Sequence, residues 1–230
     1  IHMATKQKNP THWRIMFNHI PTSLPKIEQD YNESGHFYIH EGIRYPSITT
    51  ILHSFPNKGI DRWKSITPNW QEILQESNEV GTELHSQIEH YLNNDYIPLD
   101  KHFKLVIGLF SNLRVELDKI NNIKCLEANL YEPNLRISGR VDCIADFDGV
   151  PSIIDFKSSR KNKDKYIKKS GYFEQLTAYA LMYNHCTNQN IEQGINLIAD
   201  WNGGVSIHKI QVKDYIENLE SIVEMYYESI

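Results

Sequence analysis

The chain of 230 residues has no uninterrupted apolar run near the roughly 20 residues that a membrane-spanning helix needs. Cysteine is scarce. Cys125, Cys143 and Cys186 lie far apart and none forms a C-x-x-C pair, which excludes a zinc ribbon and an iron–sulfur cluster built from grouped thiolates. The same scarcity suits a reduced, intracellular protein with small buried thiols. No secretion signal is expected from the residues given: Ile1 and His2 read as a cloning remnant before a natural start at Met3, and the stretch that follows lacks an apolar core. The expected location is the cytoplasm of a bacterium or phage-infected host, or a mitochondrion if a transit peptide has been removed. Internal repeats, low-complexity tracts and inter-domain linkers are also missing. One domain is therefore expected over residues 36–230, preceded by an irregular arm over 1–35 that carries Pro10, Pro21 and Pro25.

Positive charge is in short supply as well. Against 29 acidic residues stand 24 lysines and arginines, for a net charge of −5, a balance that disfavours a broad nucleic-acid-binding surface. Its distribution is uneven. Lys157 to Lys169 holds seven basic residues and the single acid Asp164, and screening over about 10 Å lets such a segment meet phosphates locally on an acidic protein.

Periodicity organises the rest. A hairpin over Phe37 to Tyr45 turns near Glu41-Gly42, and Ser47 is placed to cap a short helix reaching about Phe55. A second helical piece covers Ile60 to Ile66. Apolar residues at Leu84, Ile88, Tyr91 and Leu92 predict a long helix from about Trp70 to Asn93 with a break near Gly81, and another spans about Lys101 to Ile120. Strands are predicted at Ile123 to Tyr131, Arg136 to Phe147 and Ser152 to Phe156. A helix from Tyr172 to His185, strands at Glu192 to Asp200 and Val205 to Val212, and a closing helix from Asp214 follow. Helices that precede and interrupt about five strands imply an α/β layer fold with a mixed sheet.

Chemistry concentrates between Gly139 and Ser159. Asp148-Gly149 is a two-residue hairpin signal, and counting outward from it sets Asp142 opposite Asp155, Cβ atoms about 5 Å apart. Alternation places Val141, Cys143, Ala145, Phe147, Ile154 and Phe156 on one face and Asp142, Asp155 and Lys157 on the other. Facing carboxylates repel unless a cation sits between them, and a hard divalent ion such as Mg²⁺ meets that need. Lys157 is then placed to orient an attacking water or steady a scissile phosphate. Alone, Asp155-x-Lys157 reads more often as an exposed ion-pairing face. Pro151 complicates the register because it cannot donate to a ladder.

Gly139-x-x-Asp142, Asp155-x-Lys157 and Gln175-x-x-x-Tyr179, taken in that order, resemble the RecB-like branch of the PD-(D/E)XK nuclease superfamily. Upstream, Tyr45-Pro-Ser-Ile-Thr-Thr-Ile-Leu52 and Gly81-Thr-Glu-Leu-His85 resemble the phage and mitochondrial genome maintenance exonucleases of that branch. The resemblance covers about residues 37 to 185 and implies a restriction-endonuclease-like core with an N-terminal helical extension. It also implies roles: Asp142 and Asp155 as metal ligands with the Phe156 carbonyl, Lys157 as the catalytic lysine, and His85 reaching toward the metal. Glu127 would help shape the centre, with Glu132 as its competitor, and Gln175 and Tyr179 would lie over it against DNA. No proline precedes Asp142, a departure from the superfamily's named signature. By residue type alone, His85 and Tyr179 would read as core side chains and Glu127 as a surface strand residue.

The expected function is a Mg²⁺- or Mn²⁺-dependent DNA exonuclease acting at free ends in replication, repair or recombination. Ser159, Arg160 and Lys161 are expected to hold phosphates past the centre, and the helical segments around Ser47, Trp63 and Lys64 to guide a single strand. The rivals are a structure-specific endonuclease on the same fold, a catalytically silent DNA-binding module, and a metal-binding protein of unrelated function. Oligomeric state is not legible.

Overall fold

A computed structural model of the chain describes residues 16–33, 35–95 and 104–230. The expected cloning remnant, the first part of the arm and the predicted start of a helix at Lys101 lie outside them. Five strands form the central sheet: β4 (Ile120–Glu132), β5 (Ile137–Phe147), β6 (Val150–Ser159), β7 (Gln193–Asp200) and β8 (Val205–Gln211), in that spatial order. All pairs are antiparallel except β6 with β7. That parallel step needs a crossover, and α5 (Tyr172–Thr187) supplies it. The sheet is mixed, as the alternation of helical and strand segments implies.

Helices cover both faces. On one side lie α3 (Trp70–Leu92) and α4 (Lys104–Leu117), whose Leu84, Ile88, Leu109 and Leu113 pack with Cys143, Ala145, Phe147, Ile154 and Phe156. On the other, α1 (Ile48–His53), α5 and α6 (Ile216–Glu228) pack on Ile137, Ile144, Ile153 and Ile198. Each fully buried aliphatic side chain of these layers contributes on the order of 2 kcal/mol. The helix α3 runs unbroken through Gly81, contrary to the expected interruption, because its apolar stripe from Val80 to Leu92 is continuously buried. By contrast α2 (Lys58–Ile66) buries no residue, so Trp63, half-buried, is not a core side chain.

The expected two-stranded hairpin near the N-terminus is a three-stranded sheet. Strand β1 (Glu28–Asn32), within the arm expected to be irregular, pairs with β2 (Gly35–His40), which pairs with β3 (Ile43–Pro46). Short polar strands carry little hydrophobic signal, and β1 is recruited by its neighbour rather than by its own pattern. This small sheet docks on the core through Tyr45 and through Ser138 Oγ, which is 2.9 and 3.0 Å from the carbonyls of Tyr45 and Pro46. Pro151 is accommodated because it lies one residue before the β6–β7 pairing begins at Ser152.

Candidate active site

The turn at Asp148-Gly149 sets the β5–β6 register as counted, with Phe147 opposite Val150 and Cys143 opposite Ile154. Pairing stops there, one step short of Asp142 and Asp155. The Asp142 carboxylate takes over the missing ladder bond: Phe156 N–H donates to its Oδ2 at 2.8 Å. On the other side of β5, pairing with β4 skips Glu127 and Asp142, and Glu127 has a left-handed φ of 48°. The pleat is disturbed at this step. Val141 consequently packs with the α1 and α5 layer and not, as strict alternation requires, with Cys143.

The same irregularity gathers side chains. Asp142, Glu127 and His85 from α3 present ligand atoms within 4.8 Å of one another, along a cleft of about 470 Å³ also lined by Ser47, Tyr38 and Arg140. His85 Nδ1 lies 3.6 Å from Asp142 and 3.9 Å from Glu127, while its Nε2 donates to the Phe156 carbonyl at 2.8 Å. Glu127 Oε2 is held by Arg140 Nη2 at 2.6 Å. The expected partnership of Asp142 with Asp155 is modified. Asp155, wholly buried, accepts from Lys157 Nζ at 2.6 Å and from Asn196 Nδ2 at 2.9 Å. The Phe156 carbonyl is engaged by His85.

Charge explains the protonation balance. Burial pushes Asp142 up to about 6, with the Asp155 carboxylate adding to the rise and His85 opposing it. Burial alone would lower His85, but the Asp142 and Glu127 carboxylates carry it up to about 9. Burial works against Lys157 too, yet Asp155 and Asp142 hold it above its ordinary value and so charged. Glu127 is held below its usual range by His85 and Arg140 despite burial, which opposes them. An acid whose ionisation is made harder by burial, beside two further acids, favours added positive charge. Two carboxylates and an imidazole around one point fit a divalent cation with mainly oxygen ligands.

The outlying expected residues fare differently. Gln175 and Tyr179 are buried on α5, bonded to each other at 3.0 Å, with Tyr179 facing the cleft. Ser47 caps α1, accepting from Thr50 N at 3.0 Å. Ser159, expected to hold a phosphate, is buried and donates to the Lys161 carbonyl at 2.7 Å. Arg160 is likewise taken, bonded to Glu76 and Ser77 of α3 and stacked on Trp201 at 4.1 Å. Lys161 remains exposed. Glu132, the competitor of Glu127, instead ties down the β4–β5 turn through Asn134 and Leu135 N. Three contributors were missed. Arg140 was legible in principle, two residues from Asp142 on the same strand; Tyr38 and Asn196 come from other strands and leave no local signal.

The mixed sheet between two helical layers, with this acid and lysine centre where neighbouring strands part, is the arrangement of a restriction-endonuclease-like nuclease. A family model described as the PD-(D/E)XK nuclease superfamily matches residues 61–228, and the chain belongs to that superfamily. It is 27% identical over 221 residues to mitochondrial genome maintenance exonuclease 1 of Xenopus tropicalis, covering 84% of this chain and 60% of that protein. Against the Homo sapiens protein of that name it is 24% identical over 165 residues, 67% of this chain and 48% of that one. The chain thus spans between about half and three fifths of these relatives' lengths. A solved structure from Eubacterium rectale, described as a candidate exonuclease, aligns with a TM-score of 0.47 at 16% identity, over 65% of this chain and 64% of that one. No helix among the described residues is long and apolar enough to cross a membrane.

Proposed function

We propose that residues 36–230 form one nuclease domain that hydrolyses DNA phosphodiesters from free ends, with Mg²⁺ or Mn²⁺ held by Asp142, Glu127 and His85. The observation that carries this reading is the convergence of those three side chains within 4.8 Å, beside the buried Asp155–Lys157 pair. Asp155 lies on the strand next to Asp142 and contributes charge to the same centre. Bound there, a divalent ion would lower the pKa of a water and polarise a phosphoryl oxygen.

The chain's own residues do the rest. Lys157, kept charged by Asp155, presents Nζ as a donor to the attacking water or to a phosphoryl oxygen, where it offsets developing negative charge. Its bond to Asp155 holds that amine in one rotamer, which shortens the search for a productive geometry. Asn196 in turn fixes Asp155 from β7. Arg140 neutralises Glu127 and leaves further N–H groups at the cleft for a phosphate. Tyr179, backed by Gln175, walls the cleft and limits how a base is seated.

Action at ends is favoured by the resemblance of the Tyr45–Leu52 and Gly81–His85 segments to exonucleases and by the name of the matched relatives. An end-labelled digestion series on single-stranded, duplex and covalently closed circular DNA, with and without Mg²⁺, tests it. Metal-dependent loss of linear DNA with circles left intact is expected. Nicked circles indicate the endonuclease rival, and absence of cleavage on every substrate indicates a silent binding module.

A further inference from the structure

Of the seven basic residues between Lys157 and Lys169, three are consumed internally. Lys157 pairs with Asp155, Arg160 with Glu76, and Lys163 donates to Tyr172 OH at 2.9 Å. Lys161, Lys165, Lys168 and Lys169 are exposed, and among the described residues none of them forms a salt bridge. The last three belong to a 3-10 turn, Asp164–Lys169, that is pinned by buried Ile167 and by Asp164, bonded to His208 at 3.0 Å. This ordered turn displays Tyr166 with 68% of its surface in solvent. An aromatic ring held outward on a fixed element and flanked by unpaired ammonium groups gains nothing for the fold.

The turn also has a defined relation to the centre. The Tyr172 ring lies 5.4 Å from Lys157 Nζ and 5.3 Å from Lys163 Nζ, between the candidate catalytic lysine and the start of the turn. Lys157 and Lys163 thus stand around one ring, and Lys165, Lys168 and Lys169 follow Lys163 along the chain within the turn.

We propose that the Lys161–Lys169 segment is a second nucleic-acid contact, in which one base of a single strand stacks on Tyr166 while Lys165, Lys168 and Lys169 hold the phosphates on either side. Charge complementarity selects a polyanion on a chain that is otherwise acidic, with net charge −5. The exposed ring selects a single strand over a duplex, because duplex bases have their faces already stacked. The contact retains a strand between successive cleavage events, and so rests on the nuclease reading above.

The test measures binding of fluorescein-labelled thymidine oligonucleotides by anisotropy in EDTA, where no hydrolysis interferes. One oligonucleotide has roughly 30 nucleotides and one roughly 4, the second too short to span both contacts. Replacing Lys165, Lys168 and Lys169 together by Gln is expected to reduce the salt slope for the long strand by about 2, from about 0.7 per phosphate released. Tyr166→Ala is expected to weaken long-strand binding about tenfold, with Tyr166→Phe restoring it. The advantage of the long strand over the short one shrinks in both the triple and the Ala variant. An unchanged salt slope in the triple variant, or equal losses on duplex and single strands for Tyr166→Ala, overturns the proposal. These side chains are exposed, so an unaltered melting temperature verifies that each variant is folded. If the unmodified chain with Mg²⁺ cleaves no DNA, the nuclease reading fails while the binding results still decide the contact.

Discussion

Replacing Lys157 by Met removes an ammonium and keeps most of the aliphatic volume. What it leaves behind is Asp155, with no solvent exposure, deprived of a 2.6 Å charge-assisted bond and, among the described residues, keeping the bond from Asn196 Nδ2 at 2.9 Å. The neighbouring Asp142 carboxylate then repels it, opposed only in part by the protonated His85. Stranding one member of a buried ion pair costs about 3–5 kcal/mol, which for a chain of this size lowers the melting temperature by about 10 °C. The measurement is urea or thermal unfolding in EDTA, so that no bound cation compensates. Adding Asp155→Asn to Lys157→Met removes the stranded charge and should recover about 2 kcal/mol of the loss, a coupling within the range for contacting residues. Cleavage should stay absent in the double variant, which separates the stability of the pair from its chemistry. A Lys157→Met protein within about 0.5 kcal/mol of its parent, as for an ordinary surface change, would refute the claim that this pair is buried and mutually dependent.

Four further outcomes follow from the same geometry. His85, carried up to about 9, is protonated in the metal-free protein and must lose its proton to become a ligand, so at pH about 7 to 8 metal binding should release close to one proton per ion, falling to about half near pH 9; calorimetry in two buffers of different ionisation enthalpy reads this, and no release at pH about 8 excludes His85 as a ligand. In the metal-free protein that raised pKa stabilises the fold fully below about pH 6.5, with the benefit lost as pH rises through 9. A Cβ on Gly139 would lie 2.8 Å from Tyr179 Cε1, so Gly139→Ala should cost about 1–3 kcal/mol and disturb the cleft wall, visible as a lower melting temperature; unchanged melting would mean the ring is not fixed there. Ser138→Ala strips the hydroxyl that joins the small sheet to β5, and a loss of about 1–2 kcal/mol by urea unfolding is expected.

Much of this architecture was readable along the chain because it depends on neighbours in sequence. Alternation and the Asp148-Gly149 turn define the β5–β6 register, since a two-residue turn leaves one way to count outward. Ser47 as a cap and the stripe from Leu84 to Leu92 are equally local. The arm was misread where β1 forms, because Glu28–Asn32 takes its partner from β2 and not from a pattern of its own.

The sequence by itself determined which residues carry chemistry and on which strands they stand: Asp142 on one arm of a hairpin, Asp155 and Lys157 on the other. Only the tertiary structure decided how they are shared out. Positive φ at Glu127 and the parting of β5 from β6 turn Asp142 toward His85, while β7 brings Asn196 against Asp155 and α3 captures Arg160. The reason is range. Dihedral preference and pleat act over a few residues, whereas an ion pair or a carboxylate cluster forms among side chains that only the packed layers bring within about 4 Å.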